Sequence, residues 1–285
     1  MSDLGPVDPG HRADVEWLHR WRLHAEGDPH TTASSTLIPV RTIDGIPAVL
    51  KVAHVDEEER GAELLEQLDG RGAARVLQRD GQAVLLERAT GTRDLVQMVV
   101  DGDDDGATRI ICEAAARVHR DPVELPTLAD SGVPLLVPLE EWFRELFAHA
   151  DDFDPLHRQG ADYADRLLSS QHDVRALHGD LHHGNVLDFG ERGWLVIDPK
   201  GLVGEATFDY CNLLCNPSHA RALQPGRLER QFGVVVAETG ILPSRLRDWL
   251  VAWCALSSTW FAIADDPVHA ESVTRIGVTA ADLRL

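Results

Sequence analysis

Residues 177–187 read Leu177-His178-Gly179-Asp180-Leu181-His182-His183-Gly184-Asn185-Val186-Leu187. In this segment an asparagine follows an aspartate by five residues and opens a short predicted strand at residues 185–189. A second predicted strand, at residues 194–197, comes after a Gly-Glu-Arg-Gly turn and leads into Asp198. Because two such strands form a hairpin, we expect Asp180, Asn185 and Asp198 to converge at its mouth.

These three side chains have the chemistry of a magnesium site beside a general base. Mg²⁺ binds one or two carboxylates and otherwise keeps water and phosphate oxygens. A free carboxylate next to that metal can accept the proton of an attacking hydroxyl, as in phosphoryl transfer. The alternative is ordinary turn chemistry, since Asp, Asn and Gly populate turns; the joint spacing and the strand context argue against it.

Two further groups of polar residues have structural interpretations. His178, His182 and His183 invite a zinc hypothesis, but a zinc site needs three or four converging ligands and usually a familiar spacing, which this loop does not show. Asp209, which precedes Tyr210, is expected to cap a helix and brace the loop rather than to take part in catalysis.

The pattern of elements predicts an α+β fold with two lobes. Predicted strands at residues 37–43 and 48–53 are joined by Asp44-Gly45, and strands at 74–79 and 83–88 by Asp80-Gly81, both hairpin dipeptides. Helices are predicted at residues 14–25 and 56–68, and then at 107–120, 139–149, 156–172, 208–216, 226–238 and 243–264. A small β-rich lobe should therefore join a larger helical lobe near residues 88–91.

The charge of the chain limits its partners. The 285 residues carry a formal charge of -20, and 44% of them are hydrophobic, which is enough for a sizeable core. A protein that binds nucleic acid needs a basic surface, so this class is excluded. An acidic field attracts cationic substrates, although an acidic surface that only maintains solubility is an equal alternative.

The cysteines and the apolar segments predict a cytoplasmic protein without a membrane partner. Four cysteines, Cys112, Cys211, Cys215 and Cys254, make no CxxC motif and no disulfide scaffold. Residues 1–10 lack the pattern of a signal peptide. The longest apolar run, residues 249–264, is shorter than the roughly 20 residues that span a bilayer, and we predict a buried helix there.

The segment His178 to Asn185 resembles the catalytic loop of the aminoglycoside phosphotransferases, a family with the protein-kinase-like fold. Residues 86–91 and 194–205 extend the similarity to the branch that contains streptomycin 6-phosphotransferases and hydroxyurea kinases. The resemblance implies ATP and Mg²⁺ as cofactors. It assigns Asp180 as the catalytic base, Asn185 and Asp198 as metal ligands, and His178 as a support of the loop backbone.

The same resemblance assigns a nucleotide site to the N-terminal lobe, residues 1–89, with a hinge at about 87–91 and the acceptor site in residues 90–285. Lys51 matches the lysine that contacts the phosphates, and a lysine in an apolar strand needs a partner. Glu57, Glu58, Glu59 and Glu63 are candidates, and we favour Glu58. The remaining predicted nucleotide contacts are the serine-rich loop Ser34, Ser35 and Thr36 and the hinge residues Glu87 and Ala89.

The acceptor is predicted to bind between the catalytic loop and the C-terminal helices. Trp260, Asp265 and Asp266 are the candidates, because carboxylates pair with guanidinium or ammonium groups and an indole ring can face a cation. The alternative is that Trp260 belongs to the core and that the two aspartates form a helix-end cluster.

Several functions remain open from the sequence. The first is an ATP-dependent kinase for an aminoglycoside, with streptomycin as the leading candidate. The second is a kinase for another small metabolite, such as a sugar, an amino alcohol or hydroxyurea. A non-catalytic ATP-binding protein is a third, against which the intact Lys51, Asp180, Asn185 and Asp198 argue. A P-loop kinase is excluded because the chain has no GxxxxGK[ST] motif.

Overall fold

A computed structural model describes residues 16–120 and 136–284. The first predicted helix, at residues 14–25, is shorter than expected. Residues 16–20 are helical, Arg22 then has a positive φ of 53°, and His24–Ala25 is already a strand. Val15, on which that prediction also rested, lies outside the described residues.

The N-terminal region is built on an antiparallel sheet. Its strands are β1 (His24–Ala25), β2 (His30–Thr31), β3 (Ser35–Arg41), β4 (Pro47–Ala53), β5 (Val76–Asp80) and β6 (Ala83–Glu87). The order is β1-β3-β4-β6-β5, with β2 also paired to β3. Lys51 lies on the central strand β4, opposite Leu37 on one side and Val84 on the other. Both predicted hairpins are confirmed.

Helix α1 (Asp56–Leu68) has the bounds that the sequence predicts. Its first turn contains only acidic residues, which interact favourably with the positive end of the helix dipole. Its apolar face buries Leu64, Leu65 and Leu68. Gly61 lies against the segment after Asp198, since a Cβ added there would lie 2.1 Å from the carbonyl oxygen of Pro199. The helix therefore contacts the predicted catalytic segment directly.

The C-terminal region is mainly helical. Its helices are α2 (Leu95–Val100), α3 (Asp104–Arg120), α4 (Leu139–Trp142), α5 (Arg144–His149), α6 (Pro155–Leu168), α7 (Asp209–Cys215), α8 (His219–Ala222), α9 (Arg227–Thr239), α10 (Pro243–Ile263) and α11 (Pro267–Ala281). Helices α2, α8 and α11 were not predicted from the sequence. The predicted division of the chain at residues 89 and 90 stays a prediction.

Helix α10 is the central helix of this region, buried as predicted. All residues from 249 to 259 are buried, and the helix packs between α6 and α11. Gly160 of α6 permits the close approach, because a Cβ at that position would lie 2.2 Å from the Cβ of Ala255. Across residues 16–120 and 136–284, no helix combines the length and the hydropathy needed to cross a bilayer.

Two small sheets frame the segment that carries the predicted chemistry. Strands β9 (Val186–Asp188) and β10 (Trp194–Val196) form the predicted hairpin. A second, unpredicted sheet joins β7 (Val137–Pro138), β11 (Leu202–Glu205) and β8 (Val174–Leu177) in the order β7-β11-β8. Residues 178–185 therefore run between β8 and β9, and residues 197–201 between β10 and β11, so that the two loops lie side by side.

Candidate active site

The two loops bring the predicted acids and the amide together. Strand β10 pairs with β9 from Trp194 opposite Asp188 to Val196 opposite Val186, and the N–H of Ile197 donates to the carbonyl of Asn185 at 2.9 Å. Asp198 therefore follows the last paired residue on the side where Asn185 begins the hairpin. The convergence expected from the sequence is present.

Asp180 is held by two amide side chains. Asn212 Nδ2 donates to Asp180 Oδ1 at 2.7 Å, and Asn185 Nδ2 donates to the Asp180 carbonyl at 2.9 Å. Asn216 in turn donates to Asn212 Oδ1 at 2.9 Å, which fixes the orientation of the Asn212 amide. The carboxylate of Asp180 is therefore oriented, and its Oδ2 has two long contacts, 3.4 Å to Asn185 Nδ2 and 3.9 Å to His182 Nε2.

Asn212 is a site residue that the sequence analysis missed. It lies in α7 among apolar residues, in the run Cys211-Asn212-Leu213-Leu214-Cys215. A lone amide in such a helix needs a hydrogen-bond partner when it is buried. That signal was available, but only the fold shows that the partner is Asp180.

The three loop histidines have different environments. His178 accepts the N–H of Asp180 at Nδ1 (3.2 Å) and donates from Nε2 to the Ile197 carbonyl (2.7 Å), so it ties the two loops together. His182 accepts the N–H of Gly184 at Nδ1. His183 is buried, and burial is the largest of the causes that lower its pKa to about 4. Within the described residues, no three His, Cys, Asp or Glu side chains form a group that could hold a metal.

Asp209 braces the loop as predicted, but it does not cap its helix: the N-cap position of α7 is Phe208, and no side-chain cap bond is present there. Its carboxylate accepts the N–H of His178 at 2.8 Å, the N–H of Gly179 at 2.7 Å and a hydrogen bond from His119 Nε2 at 2.8 Å. Burial raises its pKa, but the bonds and charges supplied mainly by His119 outweigh burial, and the pKa lies below the ordinary value. The buried anion therefore fixes the backbone that precedes Asp180.

Lys51 joins the sheet to helix α1 and to the second loop. Its ammonium forms ion pairs with Glu58 and with Asp198, and only 7% of the residue is exposed. Glu58 is the partner that the sequence analysis favours. Burial raises the pKa of Asp198, but Lys51 and, to a smaller extent, Lys200 and His178 more than offset that effect, so Asp198 is an anion at neutral pH.

Asn185 and Asp198 fit a magnesium ion by the oxygens that they leave available. Asn185 uses its Nδ2 for Asp180, and its Oδ1 accepts no hydrogen bond from the described residues. Asp198 uses Oδ1 for Lys51 and retains Oδ2. One amide oxygen and one carboxylate oxygen are a sparse set that suits Mg²⁺, which completes its shell with water and phosphate.

An apolar cavity of about 200 Å³ lies between the sheet and the hairpin. Its polar end is formed by Lys51, Glu58 and Asp198, and its opposite rim by residues 87–89. Its walls are apolar and come from both regions of the chain: Leu37, Val49, Val84, Leu86, Leu187, Phe189 and Ile197. An apolar cavity with a few charged groups at one end is typical of a small-molecule or cofactor site.

The predicted hinge residues lie on the rim of this cavity. The side chain of Glu87 is occupied by Arg192 and by the N–H of Arg75. Among the described residues, the N–H of Ala89 donates no backbone hydrogen bond. The hinge therefore presents backbone rather than side-chain groups to the cavity.

The serine-rich loop lies at the turn between β2 and β3. Ser35 and Thr36 are buried at the start of β3, and Thr36 Oγ1 is bonded to His54 Nε2 at 3.2 Å. Thr32 Oγ1 accepts the N–H groups of Ser34 and Ser35. These hydroxyls stabilise the turn before β3, and none of the three predicted residues lines the cavity. Their contact with phosphate stays a prediction.

A second cleft, of about 410 Å³, opens on the other side of Asp180. Trp260 lines it, as predicted, and its ring meets the ring of Trp142 edge to face at 5.3 Å. Glu57, Glu141 and Glu145 contribute carboxylates, and Arg60, Arg144 and Lys200 contribute cations.

The two predicted acceptor aspartates are not part of this cleft. Asp266 caps α11, accepting the N–H of His269 at Oδ1 and a bond from His269 Nδ1 at Oδ2. Asp265 lies in the turn between α10 and α11 with a φ of 59°. The helix-end alternative describes both better, because Asp266-Pro267 is an N-cap followed by a first-turn proline. The carboxylates of the cleft come from α1, α4 and α5 instead.

Comparison with known proteins places the chain among kinases. Residues 20–265 match the family described as aminoglycoside/hydroxyurea antibiotic resistance kinase. A streptomycin 3''-kinase of Klebsiella pneumoniae is 48% identical over 249 residues, covering 86% of this chain and 90% of that protein. A streptomycin 6-kinase of Streptomyces glaucescens is 36% identical over 202 residues, covering 68% of this chain and 63% of that protein.

The fold has counterparts among solved structures. A choline/ethanolamine kinase family protein of Mesorhizobium loti superposes with a TM-score of 0.64 at 14% identity, over 91% of this chain and 90% of that one. The arrangement of a β-rich N-terminal region and a helical C-terminal region is thus the protein-kinase-like fold expected from the sequence.

Proposed function

This chain is a phosphotransferase that belongs to the aminoglycoside/hydroxyurea antibiotic resistance kinases, and we propose that it moves the γ-phosphate of ATP to a hydroxyl of streptomycin. The resulting activity would inactivate the antibiotic. The relative with 48% identity carries the name of a 3''-kinase, so the 3''-hydroxyl is the proposed position.

One observation supports this proposal most. Asp180 and Asp198 lie on adjacent loops, and each faces a different opening: Asp198 lines the apolar cavity and Asp180 lines the wider cleft. A phosphoryl group that passes from a nucleotide in the first to an acceptor in the second crosses the space between the two carboxylates. We assign residues 1–89 to the nucleotide-binding lobe and residues 90–285 to the lobe that carries the catalytic loop and most of the acceptor cleft, although both regions line the cavity and the cleft.

The proposed reaction uses Asp180 as the base. The acceptor oxygen forms a bond to the γ-phosphorus while the bond between that phosphorus and the bridging oxygen breaks. ADP leaves with the electron pair of the broken bond, and the proton of the acceptor hydroxyl passes to Asp180. The hydrogen bond from Asn212 holds Asp180 Oδ1 in place, which leaves Oδ2 to face the hydroxyl. Positioning of this kind supplies most of the rate in phosphoryl transfer.

Mg²⁺, held by Asn185 and Asp198, would supply positive charge against the phosphate oxygens. Lys51 would contact the phosphates from the sheet, with Glu58 as its anchor. Residues 87–89 would pair with the adenine through their backbone groups. Ser34, Ser35 and Thr36 would order the turn that precedes β3. We propose that the enzyme acts in the cytoplasm, where its four buried free cysteines are compatible with a reducing environment.

The second cleft suits a cationic acceptor such as streptomycin, which carries guanidinium groups. Glu141 and Glu145 lie on one face of α4 and α5, and their partner Arg144 is 66% exposed. Exposed ion pairs of this type contribute about 0–1 kcal/mol to stability. A substrate guanidinium can therefore replace Arg144 as the partner of the two glutamates with a small loss of free energy. The rings of Trp142 and Trp260 offer apolar and cation-binding surface beside them.

A kinase for another small acceptor is the second candidate, because the family includes hydroxyurea kinases by its description. ATP consumption measured with streptomycin, other aminoglycosides, hydroxyurea and simple sugars decides between them. We expect streptomycin to give the highest kcat/KM, and NMR of the product to place the phosphate at the 3'' position. A preference for hydroxyurea or a sugar would refute the assignment of streptomycin as the acceptor, but not the assignment of the protein as a kinase. If no acceptor gave turnover, the proposed enzymatic activity would be refuted.

A further inference from the structure

Lysine is rare in this chain, and its positions are informative. The chain has 27 lysines and arginines, and only two of them, Lys51 and Lys200, are lysines. An ammonium is a compact point charge with three rotatable donors, whereas a guanidinium is a broad planar fork. Arginine occupies the other 25 of these positions. One of the two lysines, Lys51, is the predicted phosphate contact, so the position of the second, Lys200, is of interest.

Lys200 lies at the boundary between the cavity and the cleft. It follows Asp198 by two residues and lines the cleft together with Asp180 and Gly179. Its N–H donates to the His178 carbonyl at 2.7 Å. Its Cβ would lie 3.1 Å from a Cβ added to Gly179. The side chain thus starts from a backbone that is fixed against the residue next to Asp180.

The two lysines are held in the same way by neighbouring residues of one helix. In the first turn of α1, Glu58 pairs with Lys51 and Glu57 pairs with Lys200 Nζ at 2.9 Å. Lys51 lines the apolar cavity, and Lys200 lines the wider cleft. The Glu57 carboxylate is one-third exposed, so that pair is weaker than the buried Lys51 pair and can exchange for another anion.

Asp198 lines the cavity and Asp180 lines the cleft, so two carboxylates flank the path of the transferring phosphoryl group. Because that group carries negative charge, a cation on the acceptor side would stabilise its transfer, as a cation on the nucleotide side does. Arg60 and Arg144 also line the cleft. Arg144 is mostly exposed and pairs with Glu141 and Glu145, and the Nε of Arg60 is buried without a hydrogen-bond partner among the described residues. Lys200, in contrast, starts from a backbone that is hydrogen-bonded to His178, two residues before Asp180.

We propose that Lys200 is a catalytic residue that donates hydrogen bonds to the oxygens of the transferring phosphoryl group, and that Glu57 holds its ammonium in place until that group arrives. The proposal rests on the proposed kinase function. In the transfer step, Lys200 keeps its proton; the bond to ADP breaks, the bond to the acceptor oxygen forms, and Asp180 takes the acceptor proton.

The test compares Lys200→Met with Glu57→Gln in two measurements. Calorimetry gives the Kd for ADP and for a non-hydrolysable ATP analogue, each with Mg²⁺. Because only the analogue has a third phosphate, Lys200→Met should raise the analogue's Kd about tenfold and change the ADP Kd less than about threefold. Turnover with the best acceptor should show kcat lower by about 100-fold for Lys200→Met and less than tenfold for Glu57→Gln.

The outcomes separate this inference from the proposed function. If Lys200→Met and Glu57→Gln lose equal amounts of activity, or if Lys200→Met weakens ADP and the analogue alike, Lys200 only positions α1 and the inference is wrong. Thermal unfolding of both variants within a few degrees of the wild type shows that folding is intact, and Lys200→Arg should then recover part of the analogue affinity. A wild-type protein that binds neither nucleotide would overturn the kinase assignment and this inference together.

Discussion

The substitution Asp209→Asn should destabilise the protein and slow the reaction, although Asp209 lies behind the loop and touches no substrate. Asp209 accepts three hydrogen bonds: Oδ2 from the N–H of His178 and from His119 Nε2, and Oδ1 from the N–H of Gly179. An asparagine has a single acceptor oxygen. In either orientation of the amide, at least one buried N–H meets the new NH₂ group instead of an acceptor.

The magnitude follows from these contacts. One buried donor without a partner costs about 1–3 kcal/mol, and each of the two remaining bonds loses the advantage of a charged acceptor, so the free energy of unfolding should fall by about 3 kcal/mol. For a chain of this length that corresponds to a Tm lower by about 5 °C. Because the Gly179 backbone carries Asp180, kcat should fall at least tenfold while the Kd for ADP stays within threefold.

The pH dependence gives an independent check with a defined sign. The pKa of Asp209 is lower in the folded state than its ordinary value. Its contribution to stability is therefore complete above the unfolded pKa, at about 4, and disappears as the pH falls through the folded pKa. The difference in unfolding free energy between the wild type and Asp209→Asn should be present at about pH 5 and should shrink as the pH falls below about 4.

Urea denaturation followed by circular dichroism measures these free energies. The matched control is Asp162→Asn on the exposed face of α6, where the same chemical change should alter stability by less than about 0.5 kcal/mol. A stability loss for Asp209→Asn that is no larger than that of the control would refute the assignment of Asp209 as the brace of the catalytic loop.

The other predictions concern single contacts. Asn212→Ala removes the bond that orients Asp180, so kcat should fall about tenfold or more with the KM for ATP nearly unchanged in steady-state assays; an unchanged kcat contradicts this. Glu145→Gln should raise the KM for streptomycin about three- to tenfold and leave the KM for ATP alone, and equal KM values in the variant and the wild type would remove Glu145 from the acceptor site. Gly61→Ala gains up to about 1 kcal/mol of helix propensity, but its Cβ would lie 2.1 Å from the Pro199 carbonyl oxygen, so calorimetry should show a net loss of about 1–3 kcal/mol; a stabilised variant would mean that α1 is free to move away from the Asp198 loop.

The sequence predicted those parts of the molecule that depend on local patterns. Helix α1 and the hairpin β9–β10 follow from periodicity and turn residues, and the convergence of Asp180, Asn185 and Asp198 follows from that hairpin. The brace at Asp209 was also predicted, although its bonds come from the N–H groups of His178 and Gly179 in the loop and not from its own helix.

The parts that failed depend on how elements are oriented in space. Glu58 was correctly favoured as the partner of Lys51, but the pairing of its neighbour Glu57 with Lys200 depends on the rotation of α1 and was not predicted. Asp265 and Asp266 follow the apolar helix α10 directly, so they resembled acids at the mouth of a pocket, although Asp266-Pro267 carried the signal of a new helix. Trp142 and Asn212 belong to the site through contacts over long sequence distances, with Trp260 and Asp180 respectively.

Asp180 is the proposed base of the reaction, and one measurement tests this role. Wild-type protein and Asp180→Asn are each incubated with ATP, Mg²⁺ and streptomycin, and phosphorylated streptomycin is quantified by mass spectrometry, with ADP binding by calorimetry as the control for an intact nucleotide site. We predict that the wild type forms singly phosphorylated streptomycin and that Asp180→Asn forms it about 10²- to 10⁴-fold more slowly with ADP affinity retained. Phosphorylation by Asp180→Asn at a rate close to that of the wild type would contradict the assignment of Asp180 as the base.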